Sequence, residues 1–134
     1  MKLMEFNPDV VPANTRSHHP KIGFHTSGLI TLNKEAQELL KLKESDAVKL
    51  YQSDEDAADW FIAKAKGGFA LRKTSPNQNI VAFNCKYIKD KIFESVETER
   101  TSGSIRIKAD ALVKVDGNVN AYPIMTSELN KHTS

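Results

Sequence analysis

The fold expected for this chain depends most on one stretch, residues 28–50, which reads Gly28-Leu29-Ile30-Thr31-Leu32-Asn33-Lys34-Glu35-Ala36-Gln37-Glu38-Leu39-Leu40-Lys41-Leu42-Lys43-Glu44-Ser45-Asp46-Ala47-Val48-Lys49-Leu50. Its first residues, Leu29 to Leu32, are typical of a strand. Asn33 can accept the free amide hydrogens of a helix start, and apolar residues then recur at helical spacing until Leu42. A second strand begins at Val48. This order of strand, helix and strand predicts a domain that mixes both kinds of element.

Further strands are predicted on both sides of this stretch. Ile22 to Phe24 should form a hairpin with Leu29 to Leu32, and Gly67-Gly68 should turn the chain between two more strands. An asparagine, Asn84, is expected to cap a second helix. The predicted strands outside residues 28–50 are Ile22 to Phe24, Trp60 to Ala63, Phe69 to Leu71, Ile80 to Phe83, Ile105 to Ile107, Leu112 to Val115 and Val119 to Ile124. The predicted fold class is therefore α+β and β-rich.

The predicted elements follow one order twice, namely strand, asparagine, helix, strand and hairpin. The possible halves are residues 21–73 and 80–125, and Leu32-Asn33 in the first resembles Phe83-Asn84 in the second. Two interpretations of this parallel stay open. One is an internal duplication with two fused units, and the other is ordinary α+β packing.

The chain should form one domain with extensions at both ends. It has 134 residues, 40% of them hydrophobic and 27% charged, which is typical of one globular unit. Residues 1–20 contain three prolines and little periodicity, so we expect an extended arm. The domain then spans residues 21–125, and the polar residues 126–134 are expected to form a tail that frays.

Several functional classes have no support in the composition. No apolar stretch approaches the roughly 20 residues that a membrane-spanning helix needs, and the first residues lack the apolar centre of a signal peptide. Cys85 is the only cysteine, so the chain cannot form an internal disulfide. We therefore expect a cytoplasmic protein with no membrane partner.

The sequence contains no recognisable catalytic or metal-binding constellation. No motif fixes a nucleophile on a strained turn, and Gly67-Gly68 lacks the frame of a phosphate-binding loop. His18, His19 and His25 lack a further ligand at a fixed spacing, and the acidic run from Asp54 to Asp59 lacks the pattern of a calcium loop. We expect no enzyme, no metal and no cofactor.

Residues 28–50 resemble, without gaps, the core of the AbrB-like swapped-hairpin transcription regulators, which include the MazE-type antitoxins. The positions that carry the resemblance are Gly28, Ile30, Leu32, Leu40, Leu42, Asp46 and Val48. The resemblance implies a small swapped-hairpin-like barrel, which that family builds from two chains, and DNA as a partner. This chain has Leu29 and Gln37 where the family has arginine, and Asn33 where it has proline.

Nucleic acid is the partner favoured by this resemblance and by the charge distribution. From Trp60 to Phe93 the net charge is +6, although the whole chain carries only +2. The residues predicted to contact nucleic acid are Arg16, His18, His19, Lys21, His25, Arg72 and Lys73. The alternative function is a protein-protein interaction module whose lysines keep it soluble. A monomer with fused halves and a homodimer both remain open.

Overall fold

The computed structural model of the protein describes residues 19–43, 46–75, 79–115 and 119–130. These residues contain ten strands, two α-helices and one 3₁₀ helix. In chain order the elements are β1 (Lys21–Phe24), β2 (Leu29–Leu32), α1 (Lys34–Leu39), β3 (Ala47–Gln52), β4 (Trp60–Lys64), β5 (Phe69–Ala70), β6 (Arg72–Lys73), β7 (Val81–Asn84), α2 (Lys86–Ser95), β8 (Gly103–Arg106), β9 (Val113–Val115), β10 (Val119–Ile124) and the 3₁₀ helix Thr126–Asn130.

The strands form two five-stranded antiparallel sheets. The first sheet has the order β6-β7-β2-β1-β8, and the second has the order β5-β3-β4-β10-β9. The α+β, strand-rich class predicted from the sequence is confirmed. Among the strands that the structure describes, neither sheet closes into a barrel, so the expectation of a closed barrel is wrong. No helix of the described ranges is long and apolar enough to cross a membrane.

One hydrophobic core joins both sheets and both helices. Ile22 and Leu32 of the first sheet pack in the same cluster as Val48 and Ile62 of the second, and all four are fully buried. Side chains alternate between the two faces of a strand, so every second residue of β1 and β2 reaches this core. At the helix α2, Phe93 packs edge-on against Phe24, with ring centroids 5.5 Å apart.

The segment Phe69–Lys73 passes from one sheet to the other. The sequence predicted one strand there, paired with the strand before it, but β5 pairs with β3 in the second sheet and β6 pairs with β7 in the first. Leu71 lies at the crossing point, where its side chain is buried and its N–H donates to the Asp46 carbonyl at 3.1 Å. Burial of Leu71 in the shared core turns the chain there, which a local pattern could not reveal.

Helix α1 is shorter than the sequence predicted. Asn33 caps it as expected, because its Oδ1 accepts the N–H of Ala36 at 2.9 Å. The helix ends at Leu39 rather than Leu42, because Lys41 adopts a left-handed conformation with φ of 55°. The Leu42 N–H then donates to the Gln37 carbonyl at 2.9 Å, which is the hydrogen bond of a Schellman ending.

Helix α2 begins without the asparagine cap that the sequence predicted. Asn84 is the last residue of β7 and pairs with Leu29, so it still belongs to the sheet. Cys85 occupies the N-cap position, and its side chain makes no capping hydrogen bond. The expectation for Asn84 is wrong because continued strand pairing with β2 shifts the helix start by one residue.

Residues 126–130 belong to the fold, although the sequence predicted a fraying tail from residue 126 onward. They form the 3₁₀ helix, and Leu129 is fully buried in the core. Glu128 holds this helix on β8, because its carboxylate accepts hydrogen bonds from the Arg106 backbone N–H at 2.7 Å and from Arg106 Nε at 2.9 Å. The expectation of a tail is therefore wrong for residues 126–130, and residues 131–134 lie outside the described part of the chain.

Candidate nucleic-acid interface

Arg72 and Lys73, two of the predicted contact residues, form the edge strand β6 of the first sheet. Both side chains are exposed. Arg72 lies opposite Ala82 and Lys73 opposite Val81 in the neighbouring strand. Among the described strands, only β7 pairs with β6, and the other side of an edge strand offers backbone groups that can pair with a partner.

The other predicted contact residues that the structure describes lie elsewhere. Lys21 is at the start of β1 and His25 just after its end, so β1 separates them by roughly 13 Å. His19 is exposed, and its carbonyl accepts a hydrogen bond from Asn33 Nδ2 at 2.9 Å. Lys21 and His25 lie along β1, which is three strands away from β6 in the first sheet. Arg16 and His18 lie outside the described residues.

A cavity of about 510 Å³ opens beside β6, between the end of α1 and the first sheet. It is lined by Gln37, Leu42, Lys43, Leu71, Arg72, Lys73 and Val81. Three of these residues are aliphatic and three are cationic. The cavity therefore combines apolar walls with a concentration of positive charge.

Two of the three cations of the cavity, Arg72 and Lys73, have no acidic partner among the described residues, whereas Lys43 interacts electrostatically with the Asp46 carboxylate. All three side chains are exposed. None of them makes an ion pair or a side-chain hydrogen bond with another residue of the described ranges. Arg72 and Lys73, exposed on one strand with Lys43 at the same cavity, can therefore attract an anion such as phosphate.

Gln37 fixes the wall of the cavity formed by α1. Its Nε2 donates to the Asn79 carbonyl at 3.0 Å, and it approaches the carbonyls of Leu32 at 3.3 Å and Asn33 at 3.4 Å. These bonds use the donor end of the amide. The Gln37 Oε1 accepts no hydrogen bond from the residues that the structure describes, so an acceptor remains for a ligand.

Asp46 holds the segment that carries Lys43 and also contacts the segment that carries Leu71. Its Oδ2 accepts the Lys43 N–H at 2.6 Å, and its carbonyl accepts the Leu71 N–H. The Lys43 hydrogen bond is the main cause that lowers the pKa of the Asp46 carboxyl. Partial desolvation opposes it, and the Lys64 ammonium 3.3 Å away lowers the pKa further.

The folded protein should lose stability in acid as Asp46 becomes protonated. Because its pKa is lower in the folded than in the unfolded state, its contribution is present above the unfolded pKa and disappears as pH falls through the folded pKa. We expect the Asp46→Asn variant to be less stable at neutral pH and to lose less stability between about pH 5 and pH 3. Urea unfolding across this range, followed by fluorescence of the single Trp60, measures the difference. Parallel pH curves for both proteins would contradict it.

Most other basic residues between Trp60 and Phe93 are partnered. Lys64 pairs with Asp46, and Lys86 pairs with Asp90 at 3.4 Å. Lys89 is only 4% exposed, and its Nζ lies 4.7 Å from the centre of the Phe93 ring. The +6 charge of this stretch is therefore not presented on one face. Arg72 and Lys73 in β6, and the exposed Lys66 between β4 and β5, are the basic residues of the stretch that have no ion pair or ring contact among the described residues.

Sequence reasoning missed five of the seven residues that line the cavity, including the polar residues Lys43 and Gln37. Lys43 follows α1, whereas Arg72 and Lys73 come about 30 positions later, and only the packing of α1 beside β6 brings them together. Gln37 was noted only because it replaces an arginine of the resembled family. No group of three or more histidine, cysteine or acidic side chains that could hold a metal occurs among the described residues.

Comparisons with protein-family models, with curated proteins and with solved structures find no match to this chain. The case for a function therefore depends on the geometry and charge of the cavity and its surroundings.

Proposed function

We propose that this protein is a nucleic-acid-binding, regulator-like protein without catalytic activity, and that it contacts phosphate through Lys43, Arg72 and Lys73. The observation that carries the proposal is the set of three exposed cations around one cavity at the edge of the first sheet, two of which, Arg72 and Lys73, have no acidic partner among the described residues. Phosphate contacts by lysine and arginine supply most of the affinity of non-specific nucleic-acid binding.

The distribution of acidic residues supports this placement. The exposed carboxylates of Asp54, Glu55, Asp56 and Asp59 lie in the loop between β3 and β4 of the second sheet. None of them lines the cavity beside β6. A polyanion would therefore be attracted to one edge of the molecule and repelled from another, which gives it a preferred orientation.

The arrangement of hairpins supports a relation to the swapped-hairpin regulators. The hairpins β1–β2 and β6–β7 lie side by side through the pairing of β2 with β7. In the second sheet, β3–β4 and β9–β10 are joined in the same manner through the pairing of β4 with β10. We therefore propose two fused units, in which one folded chain supplies what the resembled family assembles from two.

Replacing two of the cations should weaken nucleic-acid binding. We expect Arg72→Ala/Lys73→Ala to bind a random duplex and a single strand about tenfold more weakly, and to lower the slope of log affinity against log salt by about 2. The measurement is a gel-shift titration over a salt series. Both side chains are exposed, so the variant should fold normally.

The matched control is Lys108→Ala/Lys114→Ala, which removes the same charge from exposed residues at the far edge of the molecule. Lys114 belongs to β9, the edge strand opposite β5. This control should retain the affinity and the salt slope of the unchanged protein. Equal weakening by both variants would mean that net charge, rather than the β6 edge, determines binding.

The protein-interaction function has one observation in its favour. Leu112 is 48% exposed and directly precedes the edge strand β9, where an apolar side chain and free backbone groups could pair with another chain. The same titration separates the two functions. No binding to either nucleic acid at low salt would reject the proposal and favour a protein partner.

A further inference from the structure

The cavity beside β6 lies where the two hairpins of the first sheet differ. Phe24 in β1 is opposite Ile30, which precedes Asn33 by three residues. Lys73 in β6 is opposite Val81, which precedes Asn84 by three residues. The two hairpins therefore place Phe24 and Lys73 at corresponding positions. A core aromatic ring in one hairpin is replaced by an exposed cation in the other.

The two helices also differ, in their length and in the aromatic side chain that they provide. Helix α2 has ten residues, and Phe93 near its end covers Phe24. Helix α1 has six residues and ends in the left-handed turn at Lys41, so it provides no comparable cover over Lys73. The cavity is the volume that a longer helix and an aromatic side chain would otherwise fill.

The residues around this volume match the parts of a nucleotide. Leu42, Leu71 and Val81 supply apolar walls for the faces of a planar base. The free Oε1 of Gln37 can accept a hydrogen bond from a base N–H group. Lys43, Arg72 and Lys73 can neutralise a phosphate, and about 510 Å³ lies in the range of small-molecule pockets.

We propose that the cavity accepts one unstacked nucleotide, with its base between the aliphatic side chains and its phosphate at the three cations. This inference depends on the proposed function and makes it more specific. Bases inside a duplex are stacked and paired, so only a single strand, a terminus or a flipped nucleotide can place a base there. The protein should therefore prefer single-stranded nucleic acid to a blunt duplex.

The base and phosphate that the cavity would bind could belong either to a nucleotide within a nucleic-acid strand or to a free nucleotide. The probes that distinguish them are a twelve-residue single strand, a blunt duplex of the same length, adenosine 5′-monophosphate, and ribose 5-phosphate as a probe without a base. We expect the single strand to bind at least tenfold more tightly than the duplex. We expect the monophosphate to bind more tightly than ribose 5-phosphate, because only the former has a base for the apolar walls.

Filling the cavity tests the inference directly. Val81→Phe places a ring among the aliphatic walls, and it should weaken binding of the single strand and of the monophosphate at least tenfold. The matched control is Val113→Phe in β9, which makes the same change at a half-buried strand position of the second sheet. If Val81→Phe fails to fold by circular dichroism, Leu42→Phe fills the same cavity from a half-buried position three residues after the end of α1.

The outcomes separate this inference from the proposed function. Equal affinity for single strand and duplex, with both weakened by Arg72→Ala/Lys73→Ala, would overturn the inference and leave the proposed function standing. If a folded cavity-filling variant binds the single strand as tightly as the unchanged protein does, the inference would also be overturned. Absence of binding to both polymers would overturn the proposed function, and binding of the monophosphate alone would identify a free nucleotide as the source.

Discussion

Replacing Leu129 by alanine should lower the free energy of unfolding by about 3 kcal/mol, within the range of 2 to 5 kcal/mol typical of leucine-to-alanine changes at buried sites. Leu129 is fully buried, although it belongs to a short 3₁₀ helix near the chain end. The helix is also held by Thr98 Oγ1, which donates to the Leu129 carbonyl at 3.2 Å, so the cavity cannot easily close. Urea unfolding followed by Trp60 fluorescence gives the measurement.

Leu112→Ala is the matched control for this prediction. The chemical change is the same, but Leu112 is 48% exposed, so we expect a loss of about 0.5 kcal/mol or less. A similar small loss for Leu129→Ala would mean that residues 126–130 detach from the core in solution. Deletion of residues 126–134 would then be tolerated as well.

Gly28→Ala should destabilise the fold by about 3 kcal/mol, because two separate costs coincide there. The backbone of Gly28 has φ of +96°, which costs an L-residue about 1 kcal/mol or more. A Cβ atom would also lie 2.7 Å from Lys86 Cα and 2.8 Å from Lys86 N, and these backbone atoms begin α2. The turn between β1 and β2 and the start of α2 would have to separate.

Gly67→Ala isolates the first of these costs. Gly67 also has a positive φ, of +80°, but a Cβ there would meet nothing within 4 Å. We expect this variant to lose only about 1 kcal/mol in the same unfolding experiment. Equal losses for the two glycines would show that the contact between Gly28 and Lys86 contributes nothing, and that backbone conformation alone explains the glycine at position 28.

The candidate site could be predicted from the sequence only in part. Arg72 and Lys73 were predicted as contact residues because they add positive charge to a strand, and both are exposed at a sheet edge. Lys43 and Gln37 had no such signal, since a lysine after a helix and a glutamine on its surface are ordinary. The unpaired state of Arg72 and Lys73 depends on where every carboxylate of the fold lies, which is not a local property.

The sequence alone determined the elements whose causes are local. Alternation predicted β2 with its observed bounds, and Asn33 predicted the start of α1, because strand faces and helix caps involve residues only a few positions apart. Only the tertiary structure decided that Phe69–Lys73 divides between two sheets, that Leu129 enters the core and that the end of α1 lies beside β6. Each of these depends on burial against residues distant in the chain, and the free energy of that burial overrides what the local pattern favours.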